Sequence, residues 1–328
     1  MILVTGAAGY IGSILSEILI DGDYKVIACD NLSKGHRAAV SDKAVFIHAD
    51  VGDYQAVSNI FKSHDIEAVI HLAADTEVET SFKDPVSFFR NNVACGINLV
   101  QCMLEHQVKK LIFSSSAAVY GEPAHVPVSE NTPVLPINPY GESKLMFEKF
   151  LYWCSQAAGL SSVCLRYFNV AGASELRGEN HQPPSTLIAV VISVAAGKRD
   201  YLPIYGNDYA TPDGTCIRDY IHVLDIAEAH VRALEYLGSQ QGCFIFNVGN
   251  GAGYSVKEVV ESARKITGKP IDVKILPRRP GDPANVIADS HKAQSELKWK
   301  PGHPDLDSII GSAWAWQTRH PDGYSEKR

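Results

Sequence analysis

MILVTGAAGYIGSILSEILIDGDYKVIACD, residues Met1 to Asp30, is the stretch that decides the fold. Two short apolar runs rich in β-formers, Ile2–Thr5 and Tyr24–Asp30, flank a segment in which Ile11, Ile14, Leu15, Ile18 and Leu19 recur at the spacing of one helix face. Gly22 then supplies a helix stop. A strand, a helix and a second strand in that order form a crossover, so the two strands pair in parallel. At the first strand-to-helix turn, Gly6, Gly9 and Gly12, with Tyr10 and Ile11 between them, give a G-x-x-G-x-x-G spacing. Glycines permit a tight turn and close backbone approach, while the helix N-terminus offers free N–H groups and a positive dipole to a pyrophosphate. Three glycines also make an ordinary turn, so the surrounding sequence must carry the reading.

Outward from that unit the pattern repeats. Ala44–Ala49, Ala68–Ala73, Lys110–Ser115 and Ser161–Tyr167 read as further buried strands between helical patterns. Repeated βα units predict an α/β fold with a doubly wound parallel Rossmann sheet over residues 1–170. Beyond residue 170 the alternation gives way to a Pro-, Gly- and Asn-containing stretch, Gly172 to Pro184, and residues 171–328 read as a smaller α/β domain. Cys243–Val248 again resembles a buried strand and Ser255–Thr267 a helix, so a segment near 219–249 is expected to return to the first domain.

Composition narrows the function. A chain of 328 residues, 45% hydrophobic and 20% charged, can bury roughly three quarters of its unfolded surface without staples. Its 30 basic and 37 acidic residues leave a net charge of -7, so it lacks the positive field that general nucleic-acid binding needs, and any anionic ligand must be held by local cations. The longest apolar stretch, Leu187–Ala196, falls short of the ~20 residues that span a bilayer. Met1 to Gly6 leads straight into a glycine turn, leaving no room for a signal peptide. The seven cysteines form no C-x-x-C pair and read as reduced thiols, and a cytoplasmic protein is expected. No metal site is predicted: the twelve histidines show no H-E-x-x-H spacing, and His71, His222 and His230 read as structural.

Two places carry chemistry. Asp30 ends the second strand, where a carboxylate can accept hydrogen bonds from both hydroxyls of an adenine ribose and repel a 2′-phosphate, which favours NAD over NADP. Lys34 and Arg37 lie close enough in sequence to weaken that preference, and a solvated turn residue is the plainer reading of Asp30. Asp50, ending the third strand, is placed similarly. The second place is Tyr140-Gly141-Glu142-Ser143-Lys144, with Asn138 as N-cap and Pro139 at the first helical position. Tyr140 and Lys144 then share a helix face, and a nearby ammonium with a cationic nicotinamide would favour the tyrosine's phenolate. The strand Leu111–Phe113 delivers Ser114, Ser115 and Ser116 at its carboxyl end, where ligands sit in open α/β sheets. A surface Tyr/Lys pair and a serine turn are each common alone; their conjunction with the glycine turn and Asp30 is not.

Together these residues resemble the extended short-chain dehydrogenase/reductase family and, within it, the UDP-glucose 4-epimerases. The resemblance runs over nearly the whole chain: VTGAAGYIG, CDNLSKG, FSSSAAVYG, NPYGESKL, LRYFNVAGA, PIYGNDYATPDGTCIRDYIHVLDIAEAHV, FNVGNG, RRPGD and WAWQTRHPDGY. It implies Tyr140 as base, Ser116 as its hydrogen-bond partner and Lys144 as the residue that lowers the tyrosine pKa and holds the nicotinamide ribose. It implies that Asn31, Val51, Leu72, Ala73, Ala74, Asn92, Ser114, Tyr167 and Phe168 lie along a tightly bound NAD. Asn169, Thr186, Leu187, Pro203, Tyr205, Arg218, Arg279, Asp282 and Val286 would meet the UDP-sugar. The implied reaction is redox-neutral: Tyr140 takes the 4-hydroxyl proton as NAD takes the C4 hydride, and the 4-keto sugar turns its other face before the hydride returns.

Departures from the pattern bear on substrate. Ala74-Asp75-Thr76-Glu77 lacks a lysine common in that turn, Thr186 stands where an asparagine is frequent, and Val286 replaces a bulky tyrosine of glucose/galactose-restricted relatives. The smaller Val286 suggests room for N-acetylated sugars. A sugar-nucleotide dehydratase resembles Ser-Thr-Asp-Glu-Val-Tyr after the fifth strand; Ala117 and Ala118 cannot transfer protons, which speaks against dehydration, and the missing glutamate speaks against decarboxylation. A UDP-xylose/UDP-arabinose 4-epimerase and a non-catalytic dinucleotide sensor are the alternatives. Helices over Val93–His106 and Tyr140–Ala157 carry more apolar residues than one face buries, with Leu145, Met146, Phe147, Phe150, Leu151 and Trp153 in one run. The resemblance implies a homodimer through a four-helix bundle.

Overall fold

Ile2–Thr5 (β1) is buried at all four positions, as a strand covered on both faces must be. It opens a computed structural model that describes residues 1–279 and 281–324. The chain continues through α1 (Tyr10–Asp21), β2 (Val26–Asp30), β3 (Val45–His48), α2 (Tyr54–Ser63) and β4 (Ala68–His71). Two short helices, α3 (Val78–Lys83) and α4 (Pro85–Phe89), lead into α5 (Cys95–Glu105), β5 (Lys110–Ser116), α6 (Pro139–Ala158) and β6 (Ser161–Tyr167). The expected Val93 start of α5 is not its true start: a π-helical turn over Arg90–Ala94 precedes it and continues from α4. Asn138 caps α6 by accepting from Gly141 N at 2.8 Å, Pro139 occupies the first turn, and Gly159 ends the helix in the left-handed region at φ 66°.

The remaining elements are β7 (Asn169–Ala171), α7 (Leu187–Ala195), β8 (Leu202–Tyr205), β9 (Ile217–His222), α8 (Val223–Tyr236) and β10 (Cys243–Val248). After them come β11 (Gly253–Ser255), α9 (Val256–Thr267), β12 (Val273–Leu276), β13 (Asn285–Val286), α10 (His291–Glu296) and α11 (Leu306–Arg319). The main sheet has seven strands in the order β10-β6-β5-β4-β1-β2-β3, every pair parallel. The strand order reverses direction between β1 and β4, and that switch point opens a crevice at the carboxyl ends of the strands. Cys243–Val248 pairs with Ser162–Tyr167 along its whole length, so the late strand closes the edge of the sheet.

Apolar residues fill both faces of the sheet. On one, Ile14 and Leu15 of α1 pack with Val223 and Ile226 of α8 and with Trp299; on the other, Val57 of α2, Leu99 and Met103 of α5, and Phe147 and Leu151 of α6 pack together. A third cluster joins Val191 of α7, Leu202 of β8, Val259 of α9 and Ile309 of α11 beneath the second half of the chain. There β9 pairs with β7, β11 and β13, and β8 pairs with β12. The buried Asp219 of β9 accepts from the backbone N–H groups of Asn250, Gly251 and Ala288, locking three segments together.

The apolar surplus of α5 and α6 lies on the surface of the chain. Leu145, Phe147 and Leu151 are core residues, whereas Ile97, Met146, Tyr152 and Trp153 are exposed, Trp153 at 67%. Helical periodicity divides the run between two faces, one packed in the core and one at the surface of the chain. No helix among the described residues is long and apolar enough to cross a membrane.

Candidate active site

The crevice is one continuous cleft of about 1100 Å³, more than a single small ligand fills. Its first wall is backbone. Gly6 stands at φ 72°, and a Cβ there would lie 2.7 Å from Ala73 N, so only glycine lets the turn after β1 lie against the strand end of β4. A Cβ on Gly12 would lie 2.1 Å from Gly6 O, so glycine is also what allows the first turn of α1 to close over the loop. Gly9 caps α1 without a side-chain acceptor, leaving the N-terminal N–H groups and dipole directed at the cleft.

Asp30, 8% exposed at the end of β2, accepts from Ala8 N at 2.9 Å and Leu32 N at 2.8 Å and lines the cleft beside Asn31 and Val51. Each carboxylate oxygen keeps a lone pair for a further donor. The two cations expected to offset it are otherwise engaged. Lys34 pairs with Asp75 at 2.9 Å and Glu77 at 3.5 Å, and Arg37 stacks over Phe46 at 4.5 Å. Leu72, Ala73 and Ala74 continue this wall, but Asp50 and Asn92 do not reach it. Asp50 instead accepts from Asn31 and from Gly52 N, and Asn92 clamps the N–H and C=O of Asp75 at 2.8 and 2.9 Å. Each braces a lining residue, the exposed Asp50 holding Asn31 and the buried Asn92 holding Asp75.

At the centre, β5 ends in the three serines and α6 begins opposite them. Tyr140 faces the cleft with Ser114 and Ser116, and Tyr167 and Phe168 lie on the same wall. Burial raises the Tyr140 pKa above its ordinary value, and a hydrogen bond with Ser116 draws it back down. Lys144 lies behind this wall, 1% exposed; its Nζ donates to Ser114 O at 2.8 Å and stands 5.8 Å from the Tyr140 ring centroid. Burial drives the lysine down to about 7, against the pull of Glu148 and Asp75. Those two carboxylates favour the charged lysine, and a charged lysine beside Tyr140 favours its phenolate.

The far wall is built from side chains. Arg218 approaches Asp282 at 3.4 Å, and the Arg279 guanidinium stacks over Tyr205 at 3.8 Å with a buried Nε that has no protein partner. Asn169, Thr186, Leu187, Pro203 and Val286 complete it, Val286 lying in register with Arg218 on β13 and β9. The histidines are structural in place: His71 Nδ1 lies 2.8 Å from Thr5 Oγ1, His222 caps α8, and His230 meets the Tyr167 hydroxyl; burial pushes all three below the usual imidazole range. Among the described residues no group of three or more His, Cys, Asp or Glu could hold a metal ion.

With a glycine cradle, an acidic strand end and a Tyr/Lys helix in one cleft, comparison with known proteins is specific. Residues 2–249 match the model of the NAD dependent epimerase/dehydratase family. A UDP-glucose 4-epimerase of Halalkalibacterium halodurans is 51% identical over 326 residues, covering 99% of this chain and 97% of that one. The chain belongs to the NAD dependent epimerase/dehydratase family. Among solved structures, UDP-glucose 4-epimerase from Bifidobacterium longum in complex with NAD+ and UDP superposes with a TM-score of 0.95 at 39% identity, covering 98% of this chain and 99% of that one. The UDP-Glc/GlcNAc 4-epimerase from Campylobacter jejuni gives 0.85 at 43% identity, covering 97% and 99%.

As a member of this NAD dependent epimerase/dehydratase family the chain uses NAD, and the cradle, Asp30 and the neutralised Lys34 suit an unphosphorylated adenine ribose. Sequence reading missed the residues that set the site from behind. Ser115, Glu148 and Arg166 form a buried cluster next to Lys144. A glutamate in mid-helix and an arginine in a strand read as solvated charges, and only the pairing of β5 with β6 brings them together.

Proposed function

We propose that this protein is an NAD-dependent UDP-glucose/UDP-galactose 4-epimerase. The observation that carries the reading is that Tyr140 and Ser116, with Lys144 buried behind them, share one cleft with the glycine cradle and the Arg218/Arg279 pair. Asp30 and the N–H groups of α1 would hold NAD, which when bound supplies the acceptor and donor for the hydride at C4. Arg218 and Arg279 carry planar, permanently charged forks suited to a diphosphate, and Tyr205 offers a flat face to the uracil. Tyr140 takes the proton of the 4-hydroxyl and later returns it, the Ser116 hydroxyl holds that proton path, and the Lys144 ammonium favours the phenolate. The sugar passes through a 4-keto state and turns while its UDP stays anchored, so either epimer is released. Residues 1–170 with 219–249 form the dinucleotide half in this reading, and the rest of 171–328 the sugar-nucleotide half.

Three further readings belong to the same proposal. The protein is a homodimer, supported by the exposed Ile97, Met146, Tyr152 and Trp153 on neighbouring helices; a monomeric mass at micromolar concentration would contradict it. All seven cysteines are free thiols, which fits a cytoplasmic protein. Val286 leaves room for an N-acetyl group, in keeping with the Campylobacter jejuni relative, so Val286→Tyr should lower UDP-GlcNAc turnover at least tenfold while sparing UDP-galactose, about 1.4 kcal/mol of added steric cost. The deciding assay is conversion of UDP-galactose by the purified protein with no NAD added. UDP-glucose appearing supports the proposal with retained cofactor, whereas activity on UDP-xylose alone would move the reading to a pentose 4-epimerase.

A further inference from the structure

A buried ion pair lies directly behind the Tyr140–Lys144 face, outside the lining of the cleft. Glu148 and Arg166 are 3% and 2% exposed. Glu148 Oε1 accepts from Ser115 Oγ and, at 2.9 Å, from Arg166 Nε; its Oε2 accepts from Arg166 at 2.6 Å. The third guanidinium nitrogen donates to the Tyr120 hydroxyl at 2.9 Å, which donates to Asn247 Oδ1 at 2.7 Å. One fork therefore ties α6, β5, β6, β10 and the turn after β5 into a single polar unit.

Stability alone gives little reason for it, because a buried ion pair is commonly no better than well-packed apolar side chains of the same volume. The apolar neighbours were available, since Phe113, Phe147, Leu151 and Cys164 pack the same layer. Its position is the informative feature. Glu148 follows Lys144 by one helical turn, and Ser115 stands between Ser114, whose carbonyl receives the Lys144 ammonium, and Ser116, which meets Tyr140. We propose that the Glu148–Arg166 pair is a positioning device for the acid–base cluster: it fixes α6 against the end of β5 and keeps the Lys144 side chain charged. The inference rests on the reading of Tyr140, Ser116 and Lys144 given above.

The charges around the lysine agree. Tyr140 and Glu148 face it from α6, Asp75 from the turn after β4, and His71 from β4, where burial and the lysine's own charge hold the imidazole neutral. Glu148 and Asp75 are the two groups that raise the Lys144 pKa. Glu148 in turn faces Arg166, Ser115 and the thiols of Cys164 and Cys243, both of which it pushes toward the neutral form.

Three variants test this, each read by kcat and KM for UDP-galactose across pH, with bound NAD and thermal midpoint as checks on folding. Glu148→Gln removes the attraction on Lys144, and Glu148→Gln with Arg166→Gln removes both charges so that no lone guanidinium stays buried. In Glu148→Gln the alkaline limb of kcat should move to lower pH by about one unit with KM little changed, and in the double variant by less, because a repelling guanidinium leaves together with the attracting carboxylate. Ser115→Ala should lower kcat several-fold at unchanged KM, and it decides the matter should both charge variants fail to fold. A folded Glu148→Gln variant with the parent's pH profile overturns the inference, as does a folded double variant with both the parent's kcat and pH profile, or Ser115→Ala with the parent's kcat when no charge variant folds. Tyr140→Phe separates the two levels: if it stays active, the acid–base reading itself fails, whereas an inactive Tyr140→Phe beside an unmoved pH limb removes only the role of the pair.

Discussion

One wall of the cleft is made from backbone and the other from side chains. On the cofactor wall, Gly6 and Gly12 let main-chain atoms approach to distances no Cβ would tolerate, and Asp30 is fixed by two backbone N–H groups. On the opposite wall the cations Arg218 and Arg279 rest on Asp282 and on the Tyr205 ring, so the surface is set by rotamers of long side chains. A backbone cradle is rigid and reads one shape, whereas a wall of side chains can be retuned residue by residue. A family that keeps one dinucleotide while varying the sugar needs that division.

The harshest way to break the contrast is at the seam. Tyr140 belongs to neither wall, and Tyr140→Phe keeps the ring while removing the hydroxyl proposed above as the proton carrier. We expect kcat for UDP-galactose to fall by roughly 10²–10⁴-fold with KM and bound NAD retained. Loss of NAD along with activity would instead place Tyr140 in the cofactor wall. The next variant attacks the backbone wall alone. In Gly12→Ala the new Cβ meets Gly6 O and Ala7 Cα, neither of which can swing aside as a side chain could. The expected outcome is a stability loss of about 1–3 kcal/mol by thermal unfolding and substoichiometric NAD in the purified protein.

The side-chain wall should fail more gently. Arg218→Lys keeps the charge and loses the fork, so only a point charge remains for the diphosphate contact proposed above. A charge-assisted hydrogen bond is worth about 1.5–3 kcal/mol, so KM for UDP-galactose should rise roughly ten- to a hundredfold with kcat nearly unchanged. An equal fall in kcat would mean that this arginine also orients the sugar for reaction, and the two walls would then be less separable than their construction suggests.

The same division governs what could be read from sequence. Glycine spacing, strand runs and the Asn138-Pro139 helix start are local signals, and β1, α1, β5, α6, β6 and β10 lie where those signals put them. Direction of a side chain is not local. Asp50 lies two residues beyond its strand and accepts from Asn31 and from Gly52 N, and Asn92 bonds the turn at Asp75, contacts that the sequence does not show. Lys34 looked free to meet a 2′-phosphate until the fold brought Asp75 and Glu77 to it across more than forty residues of chain. The Glu148–Arg166 pair was illegible for the same reason, because it exists only once β6 lies beside β5.

The smallest effect concerns the segment that joins the two walls. Glu179 and His181 both line the cleft, and Glu179 Oε1 accepts from the His181 ring and, at 2.8 Å, from its backbone N–H. That hydrogen bond is the main cause raising the His181 pKa above its ordinary value, with burial opposing it. A histidine whose folded pKa exceeds the unfolded one stabilises fully below about pH 6.5 and loses that contribution as pH rises through the folded pKa. The imidazole is 35% exposed, so solvent screens the pair and its worth is small. His181→Gln should therefore unfold about 1–2 °C below the parent at low pH, with the gap closing on the alkaline side. A gap that does not change with pH would show that the ring acts by packing rather than by charge, and the joining segment would then behave like the backbone wall instead of the side-chain one.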